Sequence, residues 1–134
     1  MTILCIKTNK PEAELYIYDD HKKMAEKKWQ AHRELSGTLH KKIEELLQGQ
    51  SLLQGLSLHA VEGIVCFKGP GSFTGLRIGL AVANTLAYAQ NVPIVACRGE
   101  SWLETGIKDL LAGKNEKIAI PYYDRPAATT PPKK

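Results

Sequence analysis

Lys68 to Gly79 reads KGPGSFTGLRIG and joins two apolar stretches. Before it, Gly63 to Phe67 (GIVCF) is apolar throughout, the pattern of a strand buried on both faces of a parallel sheet. After it, residues 76–90 hold ten apolar side chains in fifteen, which is helical in length and apolar on most sides. A buried strand turning through glycines into a buried helix is the unit at which α/β proteins place ligands. Gly69 and Gly71 flank Pro70, so the turn is tight and partly pre-set by the proline. Ser72 and Thr74 are candidate helix caps, and the first free N–H groups of the helix would attract an anion.

Phosphate-loop spacings fail here. Gly69 and Gly75 have five residues between them with Leu76 next, not the four residues and Gly-Lys of a Walker loop; Gly71 and Gly75 have three between them, not the two of a dinucleotide fingerprint. A second feature lies in the helix itself. Gly75, Gly79, Ala83 and Ala87 recur every four residues, a stripe of small side chains that admits close approach, either by another helix or by the protein's own sheet. Arg77 opposes the helix dipole there, which calls for a carboxylate or carbonyl partner.

Working outward, Pro93 to Cys97 (PIVAC) is a second buried strand, and residues 101–111 form a helix with Ser101 as cap and Gly113 after its end. Lys117 to Tyr122 reads as a closing strand. On the N-terminal side, Thr2 to Thr8 and Glu14 to Tyr18 read as antiparallel strands, and Lys22 to Trp29 as a third. Met24 and Trp29 share a face of that third strand only if it carries a bulge. Leu35, Leu39, Ile43, Leu46 and Leu47 mark one face of an amphipathic helix, with Ser36 as cap and Gly49 as stop. The order β-β-β-α-β-α-β-α-β predicts an α/β fold, a mixed sheet with helices packed on it.

The 134 residues suffice for one domain with a core of its own. The net charge of +4 is local: Lys22, Lys23, Lys27, Lys28 and Arg33 face Glu26 alone, and Arg125, Lys133 and Lys134 face Asp124. Such a stretch suits a solvated strand or an anionic neighbour, and with only Trp29 interleaved it makes no stacking platform for nucleic acid. No apolar run approaches a membrane span, and Met1 to Ile6 is followed at once by Lys7, so no signal-peptide core is seen. Cys5, Cys66 and Cys97 all sit in apolar runs, as buried reduced thiols of a cytoplasmic protein do. His21, His32, His40 and His59 show no metal-ligand spacing, and Ser72 lacks the nucleophile elbow.

Gly69, Pro70, Gly71, Ser72, Phe73, Thr74, Gly75, Leu76, Arg77, Ile78 and Gly79 together resemble the GPGSFTGLRIG signature of the TsaB (YeaZ) family. The resemblance runs over residues 2–125. It implies a single ribonuclease-H-like lobe of the actin-like ATPase superfamily with a five-stranded mixed sheet, spanning residues 1–124, and a flexible tail at 125–134. It further implies a non-catalytic subunit in threonylcarbamoyladenosine synthesis at position 37 of tRNA. The implied partner is a TsaD-like paralogue that carries ATP and metal, so no cofactor is expected on this chain; a TsaE-like ATPase joins the complex, and tRNA is met only through it. The contact implied is a four-helix bundle through Leu35, Leu39 and Ile43 of one helix and Gly75, Leu76, Gly79, Val82, Ala83 and Leu86 of the other, a surface that could also form a homodimer. Three positions depart from the family pattern: the first strand ends Lys7-Thr8 rather than Asp-Thr, Leu35 stands where a His is common, and Pro126 follows Asp124-Arg125. The alternative is a nucleotide-binding or hydrolysing lobe completed by homodimerisation.

Overall fold

In a computed structural model of the chain, the residues described are 1–31, 34–49, 58–71 and 73–122. Thr2–Lys7 (β1), Glu12–Asp19 (β2) and Lys22–Gln30 (β3) form an antiparallel meander. The bulge that the spacing of Met24 and Trp29 requires is present. Pairing passes from Ile17 with Ala25 to Tyr18 with Lys23, leaving Met24 as the extra residue, and both Met24 and Trp29 then pack on one core.

Leu35–Gln48 (α1) follows, then Gly63–Phe67 (β4), Phe73–Gln90 (α2), Ile94–Cys97 (β5) and Trp102–Leu111 (α3). The sheet has five strands in the order β3-β2-β1-β4-β5, with β1, β4 and β5 mutually parallel. α1 and α2 cover one face, against Leu4, Ile6, Leu15, Ile17, Ile64 and Cys66. α3 covers the other, where Trp102, Ile107 and Leu110 meet Ile3, Cys5, Val65 and Val95. Burial from both sides is what makes β4 and β5 apolar at every position. Glycine brings α3 close: a Cβ on Gly106 would lie 2.3 Å from Val65 Cγ1.

Two expectations are corrected. Lys117 to Tyr122 is not a strand. Lys117 turns through φ +68°, its N–H donates to Asn115 Oδ1 at 2.8 Å, and both backbone groups of Ala119 bond to the Asn84 amide at 2.7 and 3.0 Å. With the backbone of Lys117 and Ala119 bonded to side chains, the segment is a strap across α2 and not a rung of the sheet. Ser36 is not the cap of α1: Glu34 holds that position with no side-chain cap bond, and Ser36 lies within the first turn. Gly49 ends α1 and Ser101 precedes α3 as expected, although the Ser101 hydroxyl makes no cap bond. Ser72, Arg33, Asp124 and the tail at 125–134 lie outside the described residues, as does the side chain of Phe73. Among the described residues no helix is long and apolar enough to cross a membrane.

Candidate functional site

Three segments converge on the glycine turn. Thr8, at the end of β1, is buried, and its Oγ1 donates to the Gly75 carbonyl at 2.8 Å. A Cβ on Gly79 would come within 2.1 Å of that hydroxyl oxygen, and one on Gly71 within 2.3 Å of the Asn9 Cβ. Gly69 takes φ +124°, followed by a cis bond to Pro70, and a Cβ there would lie 2.2 Å from the Tyr122 carbonyl. Asn9 Nδ2 donates to the Pro70 carbonyl at 3.4 Å, and the Tyr122 N–H donates to the Lys68 carbonyl at 2.7 Å. Arg98 stacks over the Tyr122 ring at 4.2 Å. The space that the glycines open is filled by Thr8, Asn9 and Tyr122 of the same chain. Their smallness serves packing, and the signature positions the start of α2 against β1.

Lys7 stands where the superfamily pattern has a carboxylate. Its Nζ lies 3.7 Å from Glu14 and 4.9 Å from the centre of the Phe67 ring. Glu14 also accepts from the Tyr16 hydroxyl at 2.5 Å; burial, with that bond second, pushes the Tyr16 hydroxyl well above its ordinary range. The cation at the strand end therefore has an internal counter-ion. Among the described residues no group of three or more His, Cys, Asp and Glu side chains is placed to hold a metal. Burial raises the Cys5 and Cys66 thiols strongly, which suits core packing and not nucleophilic chemistry.

The basic stretch is neutralised on β3. Lys23 pairs with Glu26 at 2.5 Å, Lys27 with Glu45 of α1 at 3.6 Å, and Lys28 sits opposite Glu14 in the antiparallel register. Among the described residues, Lys23 and Lys27 of the stretch are thus paired with carboxylates.

The side chains expected at a helix-bundle contact are placed differently from the expectation. Leu35, Leu39, Ile43, Leu76, Ala83 and Leu86 are all buried by the protein's own sheet and by the packing of α1 on α2. Gly79 meets Thr8, Ala87 is buried, and so the small-residue stripe faces inward. Gly75 and Val82 are half-buried. The reason is periodicity: the apolar stripe of an amphipathic helix goes to the nearest sheet. What α2 leaves outside is Thr74, Arg77, Ala81, Thr85, Tyr88 and Ala89, with Tyr88 90% exposed. Arg77 is the one charged residue in the eighteen of α2. α1 shows Ser36, Gly37, His40, Lys41 and Glu44, and a Cβ on Gly37 would meet nothing within 4 Å among the described residues. Spacing alone could not orient α2, because apolar residues lie on most of its sides. The overlooked signal was the missing charge on its wet face.

Comparison with known proteins bears on this arrangement. Residues 29–99 match the family model described as TsaD, tRNA N6-adenosine threonylcarbamoyltransferase. That stretch contains α1, the signature turn and α2. The tRNA threonylcarbamoyladenosine biosynthesis protein TsaB of Haemophilus influenzae is 36% identical over 78 residues, 58% of this chain and 31% of that protein. Its Escherichia coli counterpart is 30% identical over 101 residues, 69% of this chain and 43% of that protein. The solved structure of YeaZ from Pseudomonas aeruginosa superposes with a TM-score of 0.64 at 26% identity, covering 72% of this chain and 43% of that one. The chain belongs to the TsaB/YeaZ family. It spans less than half the length of these relatives. The fold is the ribonuclease-H-like lobe that the family resemblance implies, with its five-stranded mixed sheet.

Proposed function

We propose that this chain acts as a non-catalytic subunit in threonylcarbamoyladenosine synthesis on tRNA, docking a TsaD-like partner through the outward faces of α1 and α2. The observation that carries the reading is the wet face of α2, with alanines, threonines and a fully presented Tyr88 around a single arginine. Interface cores are depleted in Lys and Glu and enriched in Tyr and Arg, and the outer face of α2 carries Tyr88 and Arg77 with no Lys or Glu. The open space over Gly37 on α1 offers a place for a partner backbone to come close. ATP and metal belong to the partner in this reading, a TsaE-like ATPase joins the assembly, and tRNA is reached through it. The inward residues Leu35, Leu39, Ile43, Leu76, Ala83 and Leu86 hold the two helices in place for docking.

Co-expression with a TsaD-like protein tests this. Ala81→Glu puts a charge on an exposed position, so the isolated fold keeps its stability to within about 0.5 kcal/mol. At the centre of an interface the same charge costs about 2 kcal/mol or more, roughly 30-fold in Kd. Co-purification of Ala81→Glu at the level of the parent chain would overturn the proposal. Ala83→Glu is unsuitable for this purpose, because Ala83 is fully buried and a charge there attacks the fold itself.

A further inference from the structure

Among the described residues five large apolar side chains stand exposed, and four of them belong to α2 or to the strap beside it: Tyr88, Ile118, Ile120 and Tyr122. Single apolar residues in water are ordinary, whereas a group of bulky ones marks a contact. Arg98 stacks on Tyr122, but Ile118 and Ile120 remain 66% and 67% exposed. Ala119 between them is buried in the core it shares with Leu80, Ala83 and Ala87, so the strap lies in the same layer as α2. Asn84 holds it there: its amide accepts from the Ala119 N–H at 2.7 Å and donates to the Ala119 carbonyl at 3.0 Å. Asn84 is one helical turn from Ala81 and one from Tyr88, and the strap therefore adjoins the outer face of α2. The chain bends hard to get there. Ile118 N–H donates to the Glu116 carbonyl at 2.7 Å across Lys117 at φ +68°, a γ-turn of the rare, strained kind. Strain of this sort persists where the surroundings fix it and collects at working surfaces. Here it gains no burial for the isoleucines: it carries them from the β5 edge on to α2 and leaves them in water.

We propose that the strap is a second arm of the surface that docks the TsaD-like partner, with Ile118 and Ile120 packing among apolar side chains of that protein and Asn84 as the residue that positions them. The inference rests on docking through α2 as proposed above and extends that surface beyond the helix. Continuity argues for the same occupant. A helix with its side chains is about 10 Å across, so one laid on Ala81 and Tyr88 overhangs the segment tied to Asn84 between them. The strap is also prepared for contact. The Glu116 N–H fixes its start to the Ile94 carbonyl at 2.8 Å, Asn84 fixes its middle, and the Tyr122 N–H fixes its end to the Lys68 carbonyl at 2.7 Å. An arm already ordered in the free chain loses little freedom on binding, so the burial of two isoleucines goes into affinity.

The experiment titrates the full chain and its variants with a TsaD-like protein and melts each free chain beside it. Ile118→Ser/Ile120→Ser is expected to weaken binding about tenfold or more while the free chain melts with the parent, since both positions are exposed. Asn84→Ala is expected to speed amide exchange at Ala119 and to weaken binding as well. Adding the two serines to Asn84→Ala should then cost little more, because isoleucines that are no longer held in place contribute little. Ala81→Glu, the test of docking through α2, is run alongside. Weak binding by Ala81→Glu with parental binding by the double serine variant would confine docking to the helix and sink the extension alone. Parental binding by both variants would remove the α2 reading, and the extension with it. Full additivity between Asn84→Ala and the serines would take the positioning role from Asn84 and overturn that assignment. A free chain that the serines destabilise would mean that the chain covers its own strap. A parent that self-associates, with serine variants that stay monomeric, would make a second copy the occupant; either result overturns the proposal.

Discussion

The inward and outward sides of the α1/α2 pair put glycine to opposite uses. Gly79 faces Thr8 so closely that a Cβ would lie 2.1 Å from the hydroxyl, whereas Gly37 has nothing within 4 Å of where its Cβ would be. One glycine is explained by the chain's own packing. The other is not: an exposed helix glycine costs roughly 0.5–1 kcal/mol against alanine and meets no compensating contact among the described residues. The same contrast runs through the rest of α2, whose inner side is filled by Leu76, Leu80, Ala83 and Leu86 and whose outer side is small, neutral and wet. Inner positions answer to the fold; on the reading proposed above, the outer ones answer to a partner.

The largest effect expected is at the inner glycine. Gly79→Val drives a branched side chain into Thr8 and the end of β1, an overpacking that costs about 3 kcal/mol. For a domain of this size that lowers Tm by on the order of 10 °C, measurable by calorimetry. A variant that melts with the parent would show that the α2 start can move away from β1, and the inner side would then be less fixed than described.

The inner side also carries ionisable groups, and these make its stability pH-dependent. Cys66 lies in the core beneath α1 and α2, where burial raises its thiol pKa far above the unfolded value of about 8.5. A raised acid pKa means the folded state keeps its proton while the unfolded chain loses it. The contribution is therefore complete below about pH 8.5 and falls away as pH rises, by about 1.4 kcal/mol per pH unit. Between pH 7 and pH 10 the parent should lose about 2 kcal/mol more than Cys66→Ala, read from urea midpoints at the two pH values. Equal losses in the two proteins would mean that water reaches Cys66 when folded.

Much of this inner side was legible in the sequence. The apolar runs GIVCF and PIVAC, the four-residue spacing of Leu35, Leu39 and Ile43, and the bulge demanded by Met24 and Trp29 are local patterns that burial turns directly into structure. The closing strand was misread because Ile118 and Ile120 look like strand residues, while the groups that hold the segment, Asn84 and Asn115, lie far away or act through side chains. The side chains named for a helix-bundle contact turn out to be mostly buried for a related reason. An apolar stripe marks what a helix buries, and sequence does not say whether its own sheet or a second protein does the burying. On α2 the sheet takes the stripe, and what distinguishes the outer side is the scarcity of charge around Tyr88, which no spacing rule records.

The smallest effect separates the two sides most cleanly. Gly37→Ala adds a methyl group into open space on α1, so the isolated chain should gain about 0.5 kcal/mol from the helix preference of alanine alone. At Gly79 the corresponding change loses stability, because the space there is already occupied. If the outer faces of α1 and α2 receive a partner helix, that same methyl group stands where the partner backbone approaches, and affinity should fall while stability rises. Isothermal titration with a TsaD-like protein, beside thermal melts of the free chain, reads both quantities on one variant. A rise in stability with unchanged affinity would place Gly37 outside the contact and confine docking to α2. Only opposite signs in the two measurements fit a glycine kept for an approach from outside, since a purely internal role cannot make a residue better for the fold and worse for its company.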